Sequence, residues 1–155
     1  MRGHGVLRVE NGGNAAARML ARLFQLPRAG DAVETQVIVT PIAGGERWLR
    51  TFGAHALDTR QYPADGGMAE RIGPVEFRFQ IDMVNGSRIF LQTGAAVMMG
   101  SLRIPVPRWC APSVCAREDR AGEGRVRIDV RVEMPLVGSI LSYAGTIDVE
   151  EMPAC

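Results

Sequence analysis

Lysine is missing altogether: all 18 basic residues of the 155-residue chain are arginine. Without an ε-amine there is no Schiff-base chemistry and no lysine general base. A GC-rich coding sequence is a sufficient explanation, since arginine codons are GC-rich. Cysteine is scarce as well. Cys110, Cys115 and Cys155 make an odd, small set, which agrees with a reducing compartment rather than a disulfide framework. The Cys110-x4-Cys115 spacing lacks a second pair, and His4 and His55 stand too far off in sequence to complete a zinc site, so no metal is expected. No run of 18 apolar residues is available to span a bilayer, and Met1-Arg2-Gly3-His4-Gly5 is not followed by the apolar stretch of a secretory signal. A soluble, cytoplasmic protein is expected. An excess of either charge is absent too: 18 basic and 17 acidic residues leave a net charge of +1. That argues against a nucleic-acid partner, unless the arginines gather on one face. No Gly-x-Ser-x-Gly elbow and no Gly-x-Gly-x-x-Gly fingerprint occurs, so neither a serine nucleophile nor a nucleotide cofactor is expected.

What is present reads as one domain over residues 1–155, with 46% hydrophobic and 23% charged residues, as in ordinary globular proteins. The glycine-rich segment 1–13 and residues 150–155 have the composition of tails. A helix is predicted over 14–25: Asn14 can cap it, alanines favour it, Met19, Leu20, Leu23 and Phe24 form a stripe, and Pro27 ends it. From residue 33 to 149 the period falls to two. Val75 to Met83 alternates five apolar with four polar residues, and Asn85-Gly86 then demands a type I′ hairpin turn into Arg88 to Val97. Arg125 to Glu133 alternates in the same manner. Weaker strands fit Glu34–Pro41, Arg47–Phe52, Ala54–Tyr62, Gly67–Ile72, Ser101–Pro105, Val114–Glu118 and Ser139–Val149, with turn residues between them. The fold class is mainly β: an antiparallel meander closing into a barrel or strongly curved sheet, lipocalin-like in outline, with one N-terminal helix.

Trp48, Arg50 and Phe52 occupy alternate positions of one predicted strand and therefore share a face. An arginine between two aromatic rings has two readings. It anchors a carboxylate or phosphate while the rings contact the rest of a ligand, or it forms an internal ion pair, for which Glu70 is the natural partner. His55 is the one weak catalytic candidate, and Asp58 and Tyr62 follow it at near-alternate positions. Tyr143 lies near glycines that permit close approach of a backbone or a ligand, and its phenol needs a partner if buried. Met68, Met83, Met98, Met99 and Met134 are gap-fillers first and cavity liners second. Cys110 and Cys115 have only Arg108 and Arg117 nearby in sequence, which does not make a nucleophile.

Taken in order, Trp48-x-Arg50-x-Phe52-Gly53, Glu70-Arg71-x-Gly73-Pro74, Pro105-x-Pro107 and Pro135-x-x-Gly138-x-x-x-x-Tyr143-x-Gly145 resemble the bacterial DUF4166 family, a domain of unknown function. The resemblance implies a free-standing domain or a module beside a dehydrogenase-like protein of the saccharopine dehydrogenase type. The expected function is binding of an apolar or acidic small molecule, with Trp48, Arg50, Phe52, Glu70 and Tyr143 as the candidate ligand-binding residues. Two alternatives stand beside it: a small-barrel isomerase, cyclase or hydrolase acting on a hydrophobic substrate, and a protein-interaction domain with a packed interior. An interior cavity reached by Arg50 and Glu70 separates the first two from the third.

Overall fold

The computed structural model describes residues 1–23 and 26–150. Its elements are β1 (Arg2–Asn11), α1 (Ala15–Leu23), β2 (Gly30–Ile42), β3 (Gly45–Phe52), β4 (His55–Ala64), β5 (Gly67–Ile72), β6 (Val75–Val84), β7 (Ser87–Met99), β8 (Leu102–Pro105), β9 (Ser113–Arg120), β10 (Arg125–Met134) and β11 (Gly138–Glu150). Antiparallel neighbours β1 to β7 follow one another around the sheet, then β9, β10 and β11, and β11 returns to β1. Ten strands thus close a barrel, the architecture that leaves no unpaired edge within the ring. Only β8 stands outside the closure, hydrogen-bonded to the far half of β7 over Ala96–Met99, while β9 takes the near half over Ser87–Leu91.

Turn chemistry sets the register. Asn85 and Gly86 have φ of 52° and 81°, the paired positive angles that the β6–β7 turn requires. Beyond it, a bulge between Arg78 and Phe79 shifts the β6–β7 register. Phe77 and Phe79 thereby stay on the inner face opposite Ala95 and Gln92. At the branch of β7 a side chain substitutes for a strand: Gln92 Nε2 donates to the Pro112 carbonyl at 2.8 Å, and its Oε1 accepts from the Val114 amide at 2.6 Å. This holds the β8–β9 connection to the barrel wall.

The segment expected to be an N-terminal tail is instead β1, paired on one side with β2 and on the other with β11. It closes the barrel. Its glycines misled because they read as tail composition, whereas their role is close approach: a Cβ on Gly3 would stand 2.7 Å from the Ile147 side chain. Leu7 and Val9, alternate residues of β1, are 0% and 1% exposed. The expected strand from residue 33 begins earlier, at Gly30. The helix begins as expected after Asn14, whose Oδ1 accepts from Ala17 N at 2.7 Å and whose Nδ2 donates to the Val137 carbonyl, also at 2.7 Å. Its buried face is Ala17 and Ala21, while Met19 of the expected stripe is 65% exposed. Small side chains let the helix lie close to β1 and β11. Phe24, Gln25 and residues 151–155 lie outside the described residues, as does the side chain of Leu23.

Two apolar clusters line the interior from opposite walls. One gathers Leu7, Val9, Phe52, Leu141 and Ile147; the other gathers Phe77, Phe79 and Ala95, with Val106 and Ala111 of the β8–β9 connection against it.

Candidate functional site

Directly paired residues of neighbouring strands share a face, so register decides what points inward. Phe52 is buried in the first cluster, and Arg50 and Trp48 follow it at alternate positions of β3. Across β4, Arg50 faces Leu57 and Trp48 faces Thr59. Glu70 of β5 lies opposite Gln61 of β4 and Phe77 of β6. The whole set looks into the barrel.

There the arginine and the carboxylate meet. Arg50 Nη1 donates to Glu70 Oε1 at 2.8 Å and to Thr59 Oγ1 at 2.9 Å, and the Thr59 hydroxyl donates to the same Glu70 oxygen at 2.8 Å. Burial pushes the Glu70 carboxyl up, but the Arg50 charge and hydrogen bonds from Thr59, Arg50 and Gln61 outweigh it and hold the group below the ordinary carboxylate range. Among the described residues, every side-chain hydrogen bond of Arg50 runs through Nη1. Nε and Nη2 carry three further donors, and the guanidinium carbon lies 4.9 Å from the Trp48 ring centroid. The Trp48 indole is itself held by Glu46 at 3.0 Å.

Around this pair stand Phe52, whose ring meets Tyr143 edge-on at 5.2 Å, and Glu118, which pairs with Arg88 at 3.3 Å. Glu118 follows Val114 and Ala116 at alternate positions of β9 and lies opposite Ile128 and Arg88. Burial raises its carboxyl above the ordinary range despite the Arg88 and Arg50 charges. Burial also raises the Tyr143 phenol, against the pull of Arg50 and with the push of Glu70 and Glu118. Arg50 and Glu70 each keep 15% of their side-chain surface accessible. Phe90, Ile128, Val130 and Tyr143, all on the inner face, are only half-buried. Two outer grooves lie elsewhere. One, of about 480 Å³, runs along Arg8–Asn11 and Ala29–Asp31; the other, of about 370 Å³, is lined by Arg131, Glu133, Ser142 and Tyr143 among others, so it shares Tyr143 with the interior set, and neither includes Arg50 or Glu70.

The structure therefore brings Trp48, Arg50, Phe52, Glu70 and Tyr143 to one interior. It does not assemble His55 with Asp58 and Tyr62. His55 pairs with Phe52 and faces inward, its Nε2 buried without a hydrogen-bond partner, whereas Asp58 and Tyr62 belong to the alternate, outer face of β4. There Asp58 binds Arg47 at 2.6 Å and the Tyr62 hydroxyl binds Glu76. Thr59 and Glu118 were not among the expected site residues. Glu118 carries the signal that marks Arg50, a charge following apolar Val114 and Ala116 at alternate positions, whereas Thr59, between Leu57 and Gln61, carries none. Gly145, two residues from Tyr143, admits a backbone rather than a ligand, since its Cβ would stand 2.6 Å from the Val6 carbonyl oxygen. Cys110 and Cys115 are free thiols, and among the described residues no cluster of His, Cys, Asp and Glu is arranged to hold a metal. Among those residues no helix is long and apolar enough to cross a membrane.

Fold and interior together define a closed ten-stranded antiparallel barrel with a polar cluster, centred on an arginine–carboxylate pair, set between two apolar walls. The chain belongs to the DUF4166 family, a domain of unknown function, whose model matches residues 1–147. No curated protein and no solved structure matches it.

Proposed function

We infer that the barrel interior binds a small molecule with an anionic head and an apolar body. The observation that carries this reading is the partial use of Arg50. Its Nη1 is engaged by Glu70 and Thr59, while Nε and Nη2 have no protein acceptor among the described residues and are not buried atoms left unsatisfied, so they stand open to a ligand, and a planar guanidinium with open N–H groups suits a carboxylate. Glu70 then orients the arginine rather than consuming it. Trp48, Phe52 and Tyr143 supply the apolar and aromatic contacts, and the half-buried state of Phe90, Ile128 and Val130 supports an interior that is not fully filled.

A binding module of this kind acts alone or beside a separate enzyme, a dehydrogenase-like partner being the one the family resemblance suggests. The free thiols fit a reducing compartment such as the cytoplasm. Binding is favoured over catalysis because His55 Nε2 has no hydrogen-bond partner among the described residues, and Asp58 and Tyr62 lie on the opposite face of β4.

The test compares a medium-chain fatty acid with its methyl ester by calorimetric titration of the wild-type protein. The acid is expected to bind at least tenfold more tightly, and Arg50→Gln to abolish the difference. Equal binding of acid and ester by the wild type rules the reading out without relying on any variant.

A further inference from the structure

The outer face of β3, β4 and β5 departs from how this chain otherwise places its arginines. Elsewhere cross-strand register sets arginine directly against a carboxylate: Arg2 against Glu150, Arg88 against Glu118, Arg117 against Asp129, Arg125 against Asp148 and Arg127 against Asp119. On β3 to β5 the register sets arginine against arginine. Arg47 pairs with Arg60, and Arg60 with Arg71. Adjacent strands lie about 4.8 Å apart, and like charges directly opposite one another destabilise a sheet. The repulsion has no counterpart elsewhere in the barrel.

The chain's own acids relieve it only in part, through the attraction between Asp58 and Arg60 two residues along β4. Asp58 is engaged by Nε and Nη2 of Arg47. Glu76, directly opposite Arg71, is 4% exposed and already accepts from Arg78 at 3.3 Å, from Arg103 at 2.9 Å and from the Tyr62 hydroxyl. Three arginines on the outer face of β3 to β5 thus meet Asp58 of β4 and Glu76 of the adjacent β6, and both carboxylates are taken. Among the described residues Arg60 has no ion pair or side-chain hydrogen bond, and Arg71 spends only its Nε, on the Gly73 carbonyl at 3.1 Å. Directly paired residues of neighbouring strands thus carry two guanidinium groups whose terminal nitrogens have no partner among the described residues.

We propose that Arg60 and Arg71 clamp a phosphate group, with Arg47 and Arg78 flanking it. Two planar guanidinium groups from neighbouring strands offer four or more N–H donors to one tetrahedral oxyanion, the geometry for which arginine is suited and a solvated point charge is not. The phosphate belongs to a soluble molecule rather than to a lipid surface, because no large exposed apolar side chain lies on β3, β4 or β5 to enter a bilayer. This site is on the outside of the wall that carries Arg50 and is independent of what the interior binds.

Calorimetric titration of the full chain with pyrophosphate at low and at 0.3 M salt is the test, with vesicles containing phosphatidate as the second arm. The wild type is expected to bind pyrophosphate, more weakly at high salt because exposed charges are screened. Arg60→Gln with Arg71→Gln is expected to weaken binding at least tenfold, while Arg127→Gln on the far side leaves it unchanged. The same double variant is expected to melt no lower than wild type, since it removes a repulsion; a structural role for the two arginines would lower the melting point. Pyrophosphate binding that is absent in the wild type, or equal in the wild type and the double variant, overturns the site. Binding confined to phosphatidate vesicles overturns the soluble ligand.

Discussion

Arg50 on β3 and Glu70 on β5 reach each other over the intervening strand β4, whose Thr59 hydroxyl binds both. The contact ties three strands together from the inside, at a place where apolar side chains would merely touch. Breaking one partner leaves the other charge stranded among Phe52, Trp48 and Phe77. Glu70→Gln is therefore expected to destabilise the protein by about 2–4 kcal/mol, whereas the double change Arg50→Met, Glu70→Leu is expected to recover most of that loss. Urea unfolding of the three proteins measures both, and a double variant no better than the single one would show that the pair is required rather than replaceable.

Glu118 carries the opposite sign. Its carboxyl is raised above the ordinary value of 4.5, so folding disfavours its ionised form. That penalty is absent while the group is protonated in both states and develops as pH rises from about 4.5 through the folded value. Glu118→Gln is expected to gain stability relative to wild type at pH 7 and to show no gain at pH 3.5. The lost pair with Arg88, whose side chain is 55% exposed, offsets little of it. Glu70, lowered rather than raised, contributes stability above 4.5 that disappears as pH falls through its folded value. Midpoints of denaturant unfolding taken across pH 3 to 8 separate the two groups.

Gln92→Ala removes both hydrogen bonds that fasten Pro112 and Val114 to β7. Stranding a half-buried amide and carbonyl is expected to cost about 1–3 kcal/mol. Hydrogen exchange at Val114 should accelerate while exchange in β1 and β11 is unchanged locally. Uniform acceleration would show that the connection unfolds only with the whole barrel.

Asn14→Ala removes the cap on α1 and its tie to the β10–β11 turn at Val137. A loss of about 1–2 kcal/mol is expected, with Asn14→Asp restoring the cap and not the tie. Thermal melts of the two variants apportion the two bonds.

Much of the barrel was legible because its strands are half-buried and so carry period-two patterns. The alternation of Val75–Met83 and of Arg125–Glu133 spans all but the last residue of β6 and of β10, and the Asn85-Gly86 turn sets the β6–β7 register. The first strand was not legible. Gly3 and Gly5 break the alternation, and their reason lies in Ile147 and Thr146, more than a hundred residues away. Of the interior site, Trp48, Arg50 and Phe52 were visible as a face, since alternation is a local property. Whether Glu70 reached Arg50 was a matter of closure and register across β4. The registers of the β3–β4 and β4–β5 pairs also align the arginine row of the outer wall, three residues on three strands.

The sequence alone determined the class of element, the turns that end each strand, and the presence of an arginine on an aromatic face, because pleat, positive φ and side-chain alternation act over a few residues. The tertiary structure decided that β1 closes the ring, that Arg50 spends one nitrogen on Glu70 and Thr59, and that Arg60 faces arginines on both sides. Those outcomes depend on which strands become neighbours, and neighbourhood is set by the pairing of the whole barrel rather than by any one segment.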